Sequence, residues 1–201
     1  MLQTIFYIFV VLYSVILHEI SHGLAAYSMG DPTAKYAGRL TLNPIKHIDL
    51  FGSVLLPLMG YLAGGFLFGY AKPVPYNPLN LNDQRYGPAK VAAAGPLSNL
   101  LLAVLFGLFI RFVPGVLENV VLADLLGFVV YLNIGLGVFN LLPFYPLDGH
   151  HLFLSFLPDR YREVKYFLAR YGVVLLIMCI FFAPNILSPL IRFLFRVIVG
   201  G

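Results

Sequence analysis

From Ile5 to Leu17 the chain is apolar apart from Tyr7, Tyr13 and Ser14, and this run flows directly into His18-Glu19-Ile20-Ser21-His22. Continued to Met29, it is long enough to cross a bilayer, where backbone N–H and C=O groups must be satisfied within the segment. A helix is the only single-segment solution. Three ionisable side chains inside such a helix are costly, so they are expected to face the protein interior and to serve a function. The two histidines are four residues apart and project from one helix face, with Glu19 alongside. A helix with this spacing can present two imidazoles to a zinc ion and a carboxylate as a base.

The rest of the chain fits the same medium. Hydrophobic residues make up 60% and charged residues 11%, against about 25% charged in soluble domains. The expectation is an all-α polytopic membrane protein with five to six transmembrane helices. It forms one domain over residues 1–201, with a catalytic core at about 4–150 and C-terminal helices at about 160–199. Spans are expected at Thr4–Met29, Ala89–Phe112, Val120–Leu142 and Tyr166–Ala183, with Pro184-Asn185 as a turn before a shorter Ile186–Val199 segment. Thr33–Leu42 alternates apolar and polar residues and reads as a short strand or hairpin. Leu50–Tyr70 is apolar but holds Pro57, Gly60, Gly64, Gly65 and Gly69. The start lacks the basic region of a cleaved signal peptide, and lone Cys179 allows no internal disulfide.

Basic residues gather in three connections: Lys35, Arg39 and Lys46; Lys72, Arg85 and Lys90; and Arg160, Arg162, Lys165 and Arg170. The positive-inside rule asks all three to be cytoplasmic. That requires Leu50–Tyr70 to enter and leave on one side as a re-entrant or half-inserted segment, which its glycines and prolines permit. The N-terminus is then outside and the C-terminus cytoplasmic. The dispersed charge offers no nucleic-acid footprint.

Catalytic zinc takes three protein ligands and keeps one position open. The acids are few. Glu118 and Asp124 lie at the wrong depth, Asp31 and Asp49 read as solvated loop residues, and Asp83, Asp159 and Glu163 sit in basic loops that favour surface ion pairs. Asp148 remains, after a proline-broken apolar run and before Gly149. With the re-entrant topology it reaches the same leaflet as the histidines.

The motifs HEISH, Ala92–Asn99 (AAAGPLSN) and Asn140–Gly149 (NLLPFYPLDG) together resemble the site-2 protease family of intramembrane zinc metalloproteases. The resemblance covers about residues 10–150 and is closest to compact members without a PDZ domain. It implies that His18, His22 and Asp148 bind one Zn²⁺, that Glu19 is the catalytic base and that Asn140 touches the substrate or the developing oxyanion. The implied partners are a transmembrane protein substrate and the lipid bilayer. Phe144-Tyr145 depart from the family's smaller or aliphatic residues, which bears on pocket shape. A rival reading is a membrane transporter or binding protein with a metal site, but it needs polar groups at several depths, and this chain concentrates them at one.

His47 reads as a loop histidine, His150 and His151 as packing residues beside Asp148, and Asn99 as part of a helix-packing motif with Gly95 and Pro96. Arg192 and Arg196 are expected to snorkel to cytoplasmic headgroups.

Overall fold

A computed structural model describes residues 1–56, 58, 59, 62, 69 and 71–200. All regular structure among those residues is helical, with no strand. Helix α1 spans Leu2–Ser28, whose 27 residues reach about 40 Å at ~1.5 Å per residue. It ends in a Schellman motif: Gly30 takes φ 101°, its N–H donates to Tyr27 O and the Asp31 N–H to Ala26 O.

The segment expected to be a strand is instead a short helix, α2, Thr33–Tyr36. Its preceding Pro32 cannot donate to a ladder, and the Asp31 carboxylate accepts from both the N–H and the hydroxyl of Thr33. Asp31 also departs from expectation, being fully buried rather than solvated. It accepts from Asn77 N–H at 2.6 Å and Asn80 Nδ2 at 2.9 Å, bolting the end of α1 to the loop before the next span. Burial pushes its carboxyl up, but these hydrogen bonds outweigh burial and leave it below the ordinary carboxylate value.

Asp49 caps a π-helical turn at Leu50–Leu55, accepting from Gly52 N–H at 2.7 Å. The remainder of the expected re-entrant segment lies largely outside the described residues. Asp83 forms its surface pair with Lys90 at 2.8 Å.

Helix α3, Gly87–Phe112, opens with Pro88, whose missing N–H costs nothing in a first turn. Helix α4, Val120–Asn140, starts at Asn119, whose side chain accepts the Leu122 N–H. Helix α5 is Asp148–Phe156, and α6 is Arg162–Val199. Central α3 packs on α1, α4, α5 and α6. One apolar core joins Ala103 and Ile110 of α3 to Val130 and Ile134 of α4 and Leu187 and Ile191 of α6.

Four described helices are long and apolar enough to cross a membrane, α1, α3, α4 and the first part of α6. One expectation changes here. No turn forms at 184–185, because α6 is one continuous helix of 38 residues; proline is tolerated in apolar spans, so the expected last two segments merge. Tyr7 of α1 donates to Asp124 of α4 at 2.8 Å, and Arg111 at the end of α3 donates to Val197 O at 3.2 Å. The start of α1 and the end of α6 thus share the end of the bundle away from HEISH.

Candidate metal centre and active site

α1 and α3 run antiparallel in a matched register. His18 and His22 are one turn apart on α1, and facing them on α3 are Val91, Gly95 and Asn99, also four apart. The His22 Nδ1 lies 2.7 Å from Val91 O, and the His18 Nδ1 lies 2.6 Å from Asn99 Oδ1. A carbonyl oxygen only accepts, so each Nδ1 carries a proton, and in the neutral ring each Nε2 then presents a bare lone pair. Gly95 sits between these anchors. A Cβ there would lie 2.4 Å from His22 Nε2 and 2.7 Å from His18 Cε1. Only glycine lets α3 lie flush on both rings.

Asp148 arrives from the far side as the first residue of α5. Its Oδ2 stands 3.0 Å from His18 Nε2 and 3.3 Å from His22 Nε2, and the two Nε2 atoms are 3.1 Å apart. Gly149 makes this placement possible, since a Cβ on it would lie 2.2 Å from Leu141 O and 2.4 Å from Leu142 O. Both histidines are buried, and the buried Asp148 Oδ2 has no hydrogen-bond donor.

With both rings neutral, three lone pairs meet here with no proton between them, an arrangement that repels itself unless a cation joins it. A tetrahedral zinc with bonds of about 2.0–2.1 Å would separate its ligand atoms by about 3.3 Å, close to the observed 3.0–3.3 Å. The donor set, two imidazoles and a carboxylate, suits zinc. The three are the group of His, Cys, Asp and Glu side chains, among the described residues, whose ligand atoms lie within 4.8 Å of one another.

Glu19 stands beside this trio, half buried, and its Oε2 accepts the Val74 N–H at 2.9 Å. Val74 belongs to an extended strap, Ala71–Tyr76, in which the flanking Pro73 and Pro75 have no N–H to offer. Lys72 N–H donates to His47 O at 2.9 Å, and buried Arg39 donates to the carbonyls of Lys72 and Pro73. Gly23 lies under the strap; a Cβ there would meet Val74 at 2.8 Å. Burial, and then the Asp148 charge, push the Tyr76 phenol up, so its OH stays neutral near the site.

The sequence expectation missed this strap, counting Lys72 only among the basic residues of a connection between spans. Its one signal was Arg39, a basic residue that the structure buries. It also took Asn99 for a packing residue, whereas Asn99 holds a histidine. Asn140 ends α4 with its amide nitrogen donating to Leu136 O at 3.0 Å, and among the described residues no hydrogen bond joins it to the three ligand candidates. His47 is a buried loop histidine, its Nε2 on Thr41 O at 2.8 Å. The His150 ring packs edge-on against Tyr145.

The profile of Peptidase family M50 matches residues 6–123 and 115–179. "Putative zinc metalloprotease YwhC" of Bacillus subtilis is 36% identical over 169 residues, covering 81% of this chain and 74% of that one. "Putative zinc metalloprotease Rip2" of Mycolicibacterium smegmatis is 34% identical over 140 residues, 69% of this chain but 52% of its own. The chain thus spans about half the length of that relative. No solved structure matches. The chain belongs to peptidase family M50, the site-2 protease family of membrane zinc metalloproteases.

Proposed function

We propose that this protein is an intramembrane zinc endopeptidase that cuts a transmembrane protein near the cytoplasmic end of its span, as a step of regulated intramembrane proteolysis. His18, His22 and Asp148 hold one Zn²⁺, and Glu19 is the base. The observation that carries this reading is the meeting of three bare ligand atoms beside Glu19.

When bound, the ion lowers the pKa of water toward about 7 and polarises the scissile carbonyl. Glu19 takes the proton of the attacking water on its free carboxylate oxygen while the Val74 N–H holds the other, then delivers it to the leaving nitrogen. Asn140 has a second amide N–H beyond the one spent on Leu136 and offers it to the developing oxyanion. All Lys and Arg except Arg111, Arg192 and Arg196 lie toward the HEISH end, which supports a cytoplasmic site. Both chain ends are then outside.

The test is Glu19→Gln in the purified, reconstituted protein with a transmembrane substrate. The expected result is loss of cleavage with one zinc per chain retained. A wild-type protein that binds no zinc, or that cuts no transmembrane substrate, overturns the reading and favours a transport or binding role.

A further inference from the structure

Asn99, Asn133 and Ser14 are buried polar residues in apolar spans, and the chemistry above uses none of them directly. Their hydrogen bonds can be traced atom by atom. Asn133 donates with its amide nitrogen to Val129 O at 2.9 Å and to Ser14 Oγ at 3.0 Å. Both N–H groups are then spent, which leaves Asn133 Oδ1 facing Asn99. Asn99 Nδ2 donates to that oxygen at 2.8 Å and to Ser14 O at 3.2 Å, which spends both of its own N–H groups. The Asn99 amide can no longer flip, so its Oδ1 faces His18 Nδ1 at 2.6 Å.

We infer that this Ser14–Asn133–Asn99 relay fixes the tautomer of His18. Orientation passes from a backbone carbonyl of α4 through two amides to one ring nitrogen on α1. Each step permits one answer, because an amide has a donor end and an acceptor end. Without the relay His18 is free to carry its proton on Nε2, the atom that must be bare to take zinc. His22 needs no such device, since a backbone carbonyl that cannot rotate sets its tautomer. Asn99 and Asn133 are positioning residues. They act on the ion through His18, so the inference rests on the reading of His18 as a ligand. The network is closed, buried and spread over three helices, so it also reports whether those helices are docked in register.

The experiment measures zinc dissociation by chelator competition in the detergent-purified full chain, together with ¹⁵N shifts of labelled histidine in the zinc-free protein. Wild type is expected to show His18 protonated on Nδ1. Asn99→Leu is expected to mix the tautomers and weaken zinc about 10–100-fold, and Asn133→Leu about tenfold, in the range known for groups that orient metal-bound histidines. Asn99→Asp keeps an acceptor on His18 while facing the Asn133 oxygen with another oxygen. It is expected to hold zinc within a few-fold of wild type while its melting temperature falls. A purely structural role would instead let affinity and melting temperature fall together.

Wild-type zinc affinity in both leucine variants would overturn the relay. So would a wild-type His18 protonated on Nε2, a measurement that stands if the leucine variants do not fold. If wild type itself binds no zinc, the proposed function fails first, and the two failures are told apart.

Discussion

Replacing Gly95 by alanine puts a methyl carbon 2.4 Å from His22 Nε2, 2.6 Å from His22 Cε1 and 2.7 Å from His18 Cε1. Ordinary contact begins near 3.4 Å, so the rings and α3 must part by 3.4 − 2.4 = 1.0 Å at the closest point. The rings cannot swing aside cheaply, because their Nδ1 atoms are held by Val91 and Asn99 of the same helix. The helices must separate instead, at an overpacking cost of about 1–3 kcal/mol. Metal sites tolerate about 0.2 Å in bond length, so a displacement several times larger should cost at least one ligand. Gly95→Ala is expected to lower zinc affinity at least ~100-fold, about 2.7 kcal/mol, and to abolish cleavage. Gly127→Ala is the control, for among the described residues its added Cβ would meet only Phe195, at 3.8 Å. It should be neutral or stabilise by about 0.5–1 kcal/mol, as alanine does in a helix interior. Chelator competition and thermal melting of both variants decide the matter. A Gly95→Ala protein that binds zinc and cuts like wild type refutes the reasoning.

Gly149→Ala should unseat the start of α5 from the end of α4, since its Cβ would lie 2.2 Å from the Leu141 carbonyl oxygen. Zinc content should fall with a smaller loss of helicity, measured by metal analysis and circular dichroism. Asp31→Asn should destabilise by about 1–3 kcal/mol at neutral pH. Because the folded carboxyl sits below its unfolded value, its contribution is present above about pH 4 and is lost as pH falls through the folded value. Melting of wild type and variant should therefore converge below about pH 4, and a gap that widens on acidification contradicts this. Epitope tags on the two chain ends should be accessible from the same face of the membrane, and tags protected on opposite faces would contradict the continuous α6.

That His18 and His22 share a face was legible from helical spacing, and that Asp148 meets them from the fewness of the acids, which let depth separate them. Asn99 and Asn133 were harder, since their partners on other helices lie 34 to 119 residues away. The available signal was Asn133 itself, an amide inside an apolar span that must find partners there. Alternation in Thr33–Leu42 misled because the Asp31 carboxylate and Pro32 start a helical turn locally, before any strand partner exists. Pro184-Asn185 misled because a turn signal valid in water is weak where the surrounding helix has no water to turn toward.

The third ligand candidate stands on α5, after α1, α3 and α4 have been made. A ribosome therefore delivers both imidazoles to the membrane long before it has polymerised the aspartate. Until Asp148 docks, a growing chain has two of the three donors, too few to hold the metal firmly. On the proposed reading, cutting is thus deferred until Asp148 has been made and has docked against the two histidines.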